Sequence, residues 1–270
     1  VAPTVTVDTG ITFALQVTDD EGVVGPSDTV SITVQPVPGT SRVQGQITFQ
    51  SIPFRTLPGH GLNYAGMRYL PLTPAVLVEA VDANTQLVLA SGRFSENYDL
   101  TVPTVTDIKL RATASLSRQS PDSLPHWQVD VRELNYAGLP MGPNYTYTTE
   151  VFNSGAGGIF HDIRIPSGWD TSGALIGTRD AAPFAVLEAV NMGLLTVMNA
   201  APTADFPALT IGWSPSNTGG NTFFTRDGNG RRIVLAGEAG VDTDEYDPGV
   251  ILHEFGHYVD DAFARSDSVG

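Results

Sequence analysis

DPGVILHEFGHYVDDA, residues 247–262, is the stretch on which the reading of the whole chain depends. Asp247 offers a side-chain acceptor to the free N–H groups of a helix start, and Pro248 suits the first helical position, where a missing N–H is harmless. Tyr246 can staple onto Ile251. At about 100° per residue, Ile251, Phe255, Tyr258, Val259 and Ala262 share one apolar face. His253, His257 and Asp260 lie roughly opposite, with Glu254 and Asp261 on the flank.

Within that helix His253-Glu254-Phe255-Gly256-His257 spells HExxH. Two histidines four apart point the same way, so their imidazoles can grip one Zn²⁺, and the glutamate between them can take a proton from water. A merely solvated face would carry Lys, Arg and Glu; this one holds two of only five histidines in the chain. His253 and His257 are therefore the candidate metal ligands and Glu254 the candidate general base. The chemistry implied is metal-assisted hydrolysis.

Composition narrows the setting. The 270 residues carry a formal charge of −15, and Lys109 is the only lysine, so no basic patch exists to neutralise nucleic-acid phosphates. With no cysteine, disulfides and thiolate ligands are excluded, and any metal must use His and carboxylates. No apolar run approaches the roughly eighteen residues of a membrane span, and the start VAPTVTVDTG lacks the regions of a signal peptide. Gly 28 and Pro 19, with many Thr and Val, favour turn-rich β structure.

Along the chain, ITFALQVT (11–18) alternates with Ile11, Phe13, Leu15 and Val17 on one side. A turn at Asp19–Gly22 follows, and Val30, Ile32 and Val34 resume a second half-buried strand. Further strands are expected at 43–49, 75–82, 86–92, 98–102 and 107–113, with Pro36–Gly39 as a linker. Residues 116–178 read as irregular β and loop, apart from a strand at 126–134. A helix capped by Asp180 is expected over 181–200, with Phe184, Leu187, Val190, Leu194, Val197 and Met198 at helical spacing. A strand at 207–215 and a hairpin about Asp227-Gly228-Asn229-Gly230 precede the last helix. His60, His126 and His161 are scattered and read as structural.

These residues carry three resemblances. VTDDEG…SDTVSITV resembles the last strands of a PKD-like or cadherin-like immunoglobulin sandwich, which needs roughly 100 residues, so residues 1–38 resemble the end of such a module. VEAVDANTQLVLASG…NYDLTVP resembles carboxypeptidase regulatory-like domains, small transthyretin-like β-sandwiches, over 42–115. Helix, strand, hairpin and HExxH helix over 179–270 resemble the upper lobe of a zincin metallopeptidase. The implied fold is multidomain and mainly β, followed by an incomplete α+β zincin lobe, truncated at both ends.

The zincin resemblance implies a catalytic Zn²⁺ on His253 and His257, with Glu254 as base acting on a peptide or protein substrate. Asp260 and Phe263 stand where the metzincin pattern has Gly and His, so that subclass does not fit. Asp260 lies about 10 Å from His253 along a straight helix, too far to share one ion. The thermolysin-like gluzincins use a later glutamate, and none follows Glu254, which places the third ligand beyond Gly270. Arg232–Ala236 matches the edge strand on which these enzymes lay substrate, or is an ordinary hairpin arm. Asp242–Glu245 could bind Ca²⁺, though capping and solvation are the plainer reading.

The β modules imply a secreted or surface-anchored bacterial protein that positions the enzyme or binds cell-surface glycans. The rival reading is a non-enzymatic surface adhesion or scaffold protein with a vestigial HExxH helix. A hydrolase of non-peptide bonds is a third.

Overall fold

The computed structural model describes residues 9–34, 39–54, 61–120, 123–134, 141–217, 221–241 and 243–264. Of the expected linker, Pro36–Pro38 lie outside these, as do His60 and Asp242. The chain divides into two compact units, Val1–Thr40 and Ser41–Gly270. It is mainly β, with several sheets and two α-helices among the described residues.

Among the described residues the first unit holds a two-stranded antiparallel sheet, β1 (Thr9–Leu15) and β2 (Asp28–Val34), with Phe13 opposite Val30. The Asp19 carboxylate accepts from the N–H groups of Glu21 and Val23, and Gly22 takes the positive φ of the turn. Phe13, Leu15, Val30 and Ile32 are all more than half exposed. Two strands alone cannot cover the apolar row that their alternation builds.

The second unit opens with β3 (Thr40–Ser51), β4 (Arg68–Pro71), β5 (Val76–Asp82), β6 (Val88–Phe94) and β7 (Asn97–Pro103). The long β8 (Asp107–Ser120) and β9 (Ser123–Glu133) follow. The stretch read as irregular contains four short strands, β10 (Thr146–Thr148), β11 (Phe152–Asn153), β12 (Ile159–Phe160) and β13 (Ile163–Ile165). Then come α1 (Ala182–Ala200), β14 (Leu209–Trp213), β15 (Phe223–Asp227), β16 (Gly230–Leu235) and α2 (Pro248–Phe263).

One sheet runs β15-β16-β14-β9-β8-β5-β6, and β3 gathers β4, β7, β12 and β13 into another. Strict alternation places Tyr98, Leu100 and Val102 of β7 in the core they share with Val43 and Ile47 of β3 and Val76, Val78 and Ala80 of β5. Residues 42–115, 116–178 and 179–270, read as separate stretches, thus contribute to one hydrogen-bonded ladder: β14 pairs in parallel with β9 on one side and β16 on the other. Such pairing is invisible to a local reading because its partners are far apart in sequence.

The helices cover the β9–β16 end, α1 against β8 and β9, α2 against β15 and β16. At 19 residues and a mean hydropathy of 1.3, α1 is long and apolar enough to cross a membrane by length and composition. In this fold it is a core helix, with Phe184, Val186, Leu187, Val190 and Leu194 buried. Its cap differs from expectation. Ala181 occupies the N-cap without a side-chain bond, Pro183 fills the first turn, and the Asp180 carboxylate instead accepts from Thr178 Oγ1 at 2.6 Å.

Candidate metal centre

Helix α2 starts as its sequence dictates. Asp247 Oδ1 accepts from the N–H groups of Gly249 (2.8 Å) and Val250 (3.1 Å), satisfying two donors the helix itself cannot. Ile251, Phe255 and Tyr258 are buried, and the Tyr258 hydroxyl donates to Pro207 O at 2.6 Å. With that face fixed, His253 and His257 stand exposed on the other, as the helical period requires.

The two imidazoles converge. His253 Nε2 and His257 Nε2 lie 3.3 Å apart, with the rings nearly perpendicular. Nitrogens each about 2.0–2.1 Å from a tetrahedral Zn²⁺ stand about 3.3–3.4 Å apart, so the spacing of the pair matches that of two ligands on such an ion. Without metal, the same spacing lets the rings share one proton in an N–H···N bond. Among the described residues, no cluster of three His, Asp or Glu side chains could hold a metal.

Glu254 departs from an open flank position. It is buried, and its Oε2 accepts from the Phe224 N–H of β15 at 2.7 Å. The reason lies in the hairpin. A two-residue turn, Gly228-Asn229, joins Asp227 to Gly230, so hydrogen-bonded and non-bonded pairs alternate outward from it. Phe224 faces Ile233 in a non-bonded pair, and its N–H and C=O therefore point away from β16. Among the described strands β15 forms the sheet edge, and Glu254 satisfies one of its free donors. Of the two readings of Arg232–Ala236 the hairpin arm holds: β16 is internal, flanked by β14 and β15.

Asp261 anchors the far end of α2. Its carboxylate receives Arg231 Nε at 2.6 Å and an Arg226 NH group at 3.2 Å, tying the helix to both hairpin arms. Burial raises its proton affinity, yet the bonds and charges of these two arginines outweigh that and hold the carboxyl below the usual aspartate range. Asp260 is exposed; it lies within one turn of His257 but about 10 Å along the helix from His253, too far to share an ion with both.

The acidic segment before α2 turns inward. The Glu245 side chain is fully buried and paired with Arg179, whose guanidinium also donates to Gly237 O. Trp213 Nε1 donates to the second Glu245 oxygen at 3.3 Å, and Arg179 sits 5.1 Å from the Trp213 ring centre and 5.5 Å from that of Trp169. Burial pushes the Glu245 carboxyl above its ordinary range, and Arg179 offsets only part of this. Asp244 accepts from Thr222 Oγ1. These contacts engage both carboxylates weighed for Ca²⁺ within the described residues. Arg179, Trp213 and the Phe224 N–H escaped sequence reading, although the two-residue turn does encode which way that N–H points.

Of the remaining histidines, His161 stacks on Phe152 at 3.7 Å and His126 lies 3.4 Å from Asp205, both distant in sequence from the HExxH pair. No protein-family model, curated protein or solved structure matches the chain.

Proposed function

We propose that this chain carries the metal-holding and proton-transferring elements of a zinc-dependent peptide hydrolase of the zincin type. The observation that carries the reading is the 3.3 Å convergence of His253 Nε2 and His257 Nε2 on the exposed face of a capped helix. Both histidines would hold the ion, with a carboxylate as the third ligand completing the set. Zinc, when bound, supplies Lewis acidity that makes a water a competent nucleophile near neutral pH.

The chain's own residues then handle protons and position. The Phe224 N–H fixes one oxygen of Glu254, and Oε1 accepts no hydrogen bond among the described residues. That oxygen is free to take the proton of the attacking water and return it to the leaving amine nitrogen. The outward C=O of Phe224 and N–H of Arg226 offer an edge along which an extended peptide can lie. Asp261, through Arg226 and Arg231, holds base and edge in fixed register.

The test combines zinc content with hydrolysis of casein or a quenched peptide, for the wild type and Glu254→Gln, in the longest expressible form of the protein. We expect the variant to retain zinc and lose turnover. Zinc bound without Glu254-dependent hydrolysis would overturn the peptidase reading.

A further inference from the structure

A cavity of about 410 Å³ opens at the carboxyl ends of β9 and β14, away from the HExxH side chains in sequence and in lining. Glu133 ends β9, Trp213 ends β14, and the two are register partners on parallel strands. The carboxyl ends of parallel strands are where sheets of this kind leave room for ligands, and the volume lies within the about 300–1,000 Å³ range of ligand pockets.

Its walls combine two aromatic rings with two uncompensated acids. Tyr145 and Trp213 meet at 5.3 Å between ring centres, and the Tyr145 hydroxyl is already engaged, donating to Trp213 O at 2.9 Å. The Arg179 charge in the wall is matched by buried Glu245. Glu133 and Asp180 make no ion pair among the described residues; the Asp180 carboxylate accepts only the Thr178 hydroxyl. The Tyr145 phenol is held above its usual range, first by burial and then by the Glu133 charge, with Arg179 opposing in part. Exposed Leu175 supplies an apolar rim.

We propose that this cavity binds the cationic side chain of a basic residue in a peptide, its alkyl stem against Leu175 and the half-buried Tyr145 ring and its charge toward Glu133 and Asp180. Faces of aromatic rings and paired carboxylates both attract ammonium and guanidinium groups. The site does not depend on zinc, so its test stands apart from the hydrolase reading.

The test titrates the intact chain, with EDTA present, with Nα-acetyl-lysine amide, Nα-acetyl-arginine amide and Nα-acetyl-norleucine amide, following tryptophan emission. Saturable binding of the two cations is expected, with the norleucine compound about tenfold weaker or more. Glu133→Gln and Asp180→Asn should each weaken lysine-amide binding about fivefold, and added salt should weaken it further. Norleucine amide binding as well as lysine amide would overturn the proposal. So would unchanged affinity in the double variant, or no saturation by about 50 mM, above the millimolar range that weak sites reach.

Discussion

Replacing Arg179 by methionine removes a charge that the fold has enclosed on every side. The Arg179 and Glu245 side chains are 2% and 0% exposed, so water cannot take over when one partner goes. The aliphatic part of the site survives in methionine, but Glu245 keeps only the Trp213 indole as a side-chain donor, and Gly237 O loses its guanidinium partner. Breaking such a pair from one side costs about 3–5 kcal/mol. For a unit of this size that corresponds to a Tm lower by roughly 6–20 °C, read by circular dichroism or tryptophan emission. The pH dependence has a definite sign. Without Arg179 the folded-state carboxyl is raised further above its unfolded value, so the folded state binds the extra proton. Stability is then retained at low pH and lost as pH rises from the ordinary glutamate range through that raised value. The deficit should be smallest at and below the ordinary glutamate range and grow as pH rises above it. The double variant Arg179→Met/Glu245→Gln should recover most of the loss, because no charge is left stranded. A single-variant cost below about 1 kcal/mol, or a double variant as unstable as the sum of the singles, would refute the assignment of this pair as a coupled buried unit.

Four further outcomes follow from the geometry. Zinc should raise the Tm of the wild type by mass action and leave His253→Ala and His257→Ala unmoved, as measured by thermal shift across a zinc titration. Turnover by residues 1–270 alone would place the third ligand within them. Asp261 is held below the usual aspartate range, so its contribution is present above about pH 4 and lost as pH falls through its folded value; Asp261→Asn should flatten the acid limb of a stability–pH curve. Gly168 has φ +78° and a Cβ there would stand 2.3 Å from Thr178 O, so Gly168→Ala should destabilise the unit by about 2 kcal/mol or more in urea unfolding.

What the sequence disclosed was local in its physics. The Asp247 cap, the buried row Ile251, Phe255 and Tyr258, and the exposed pair His253 and His257 all follow from helical period within one turn or two. The Asp227–Gly230 hairpin follows from turn chemistry. Asp180 was misread because a nearer hydroxyl, that of Thr178, engages its carboxylate. Among Asp242–Glu245 nothing local marks which acid will be enclosed; that depends on Arg179, far away in the chain. The choice between edge strand and hairpin arm for Arg232–Ala236 stayed open for the same reason. Only the parallel pairing of β14 with β16 shows that β16 is interior, and no residue pattern in the hairpin announces it.

That pairing has a consequence for how the chain is made. During synthesis β8 and β9 emerge and pair early, yet the outer edge of β9 must wait for β14, which leaves the ribosome more than seventy residues later. Until then Val129 and Val131 sit on a strand with an open row of amides and carbonyls, the condition under which nascent chains pair with one another. Closing it requires α1 to be laid down first, so the apolar helix that shields this surface is translated before the strand that seals it. Order of synthesis thus becomes part of the folding solution, and a circular permutant that delivers β14 before β9 should aggregate less during cell-free translation while reaching the same native sheet.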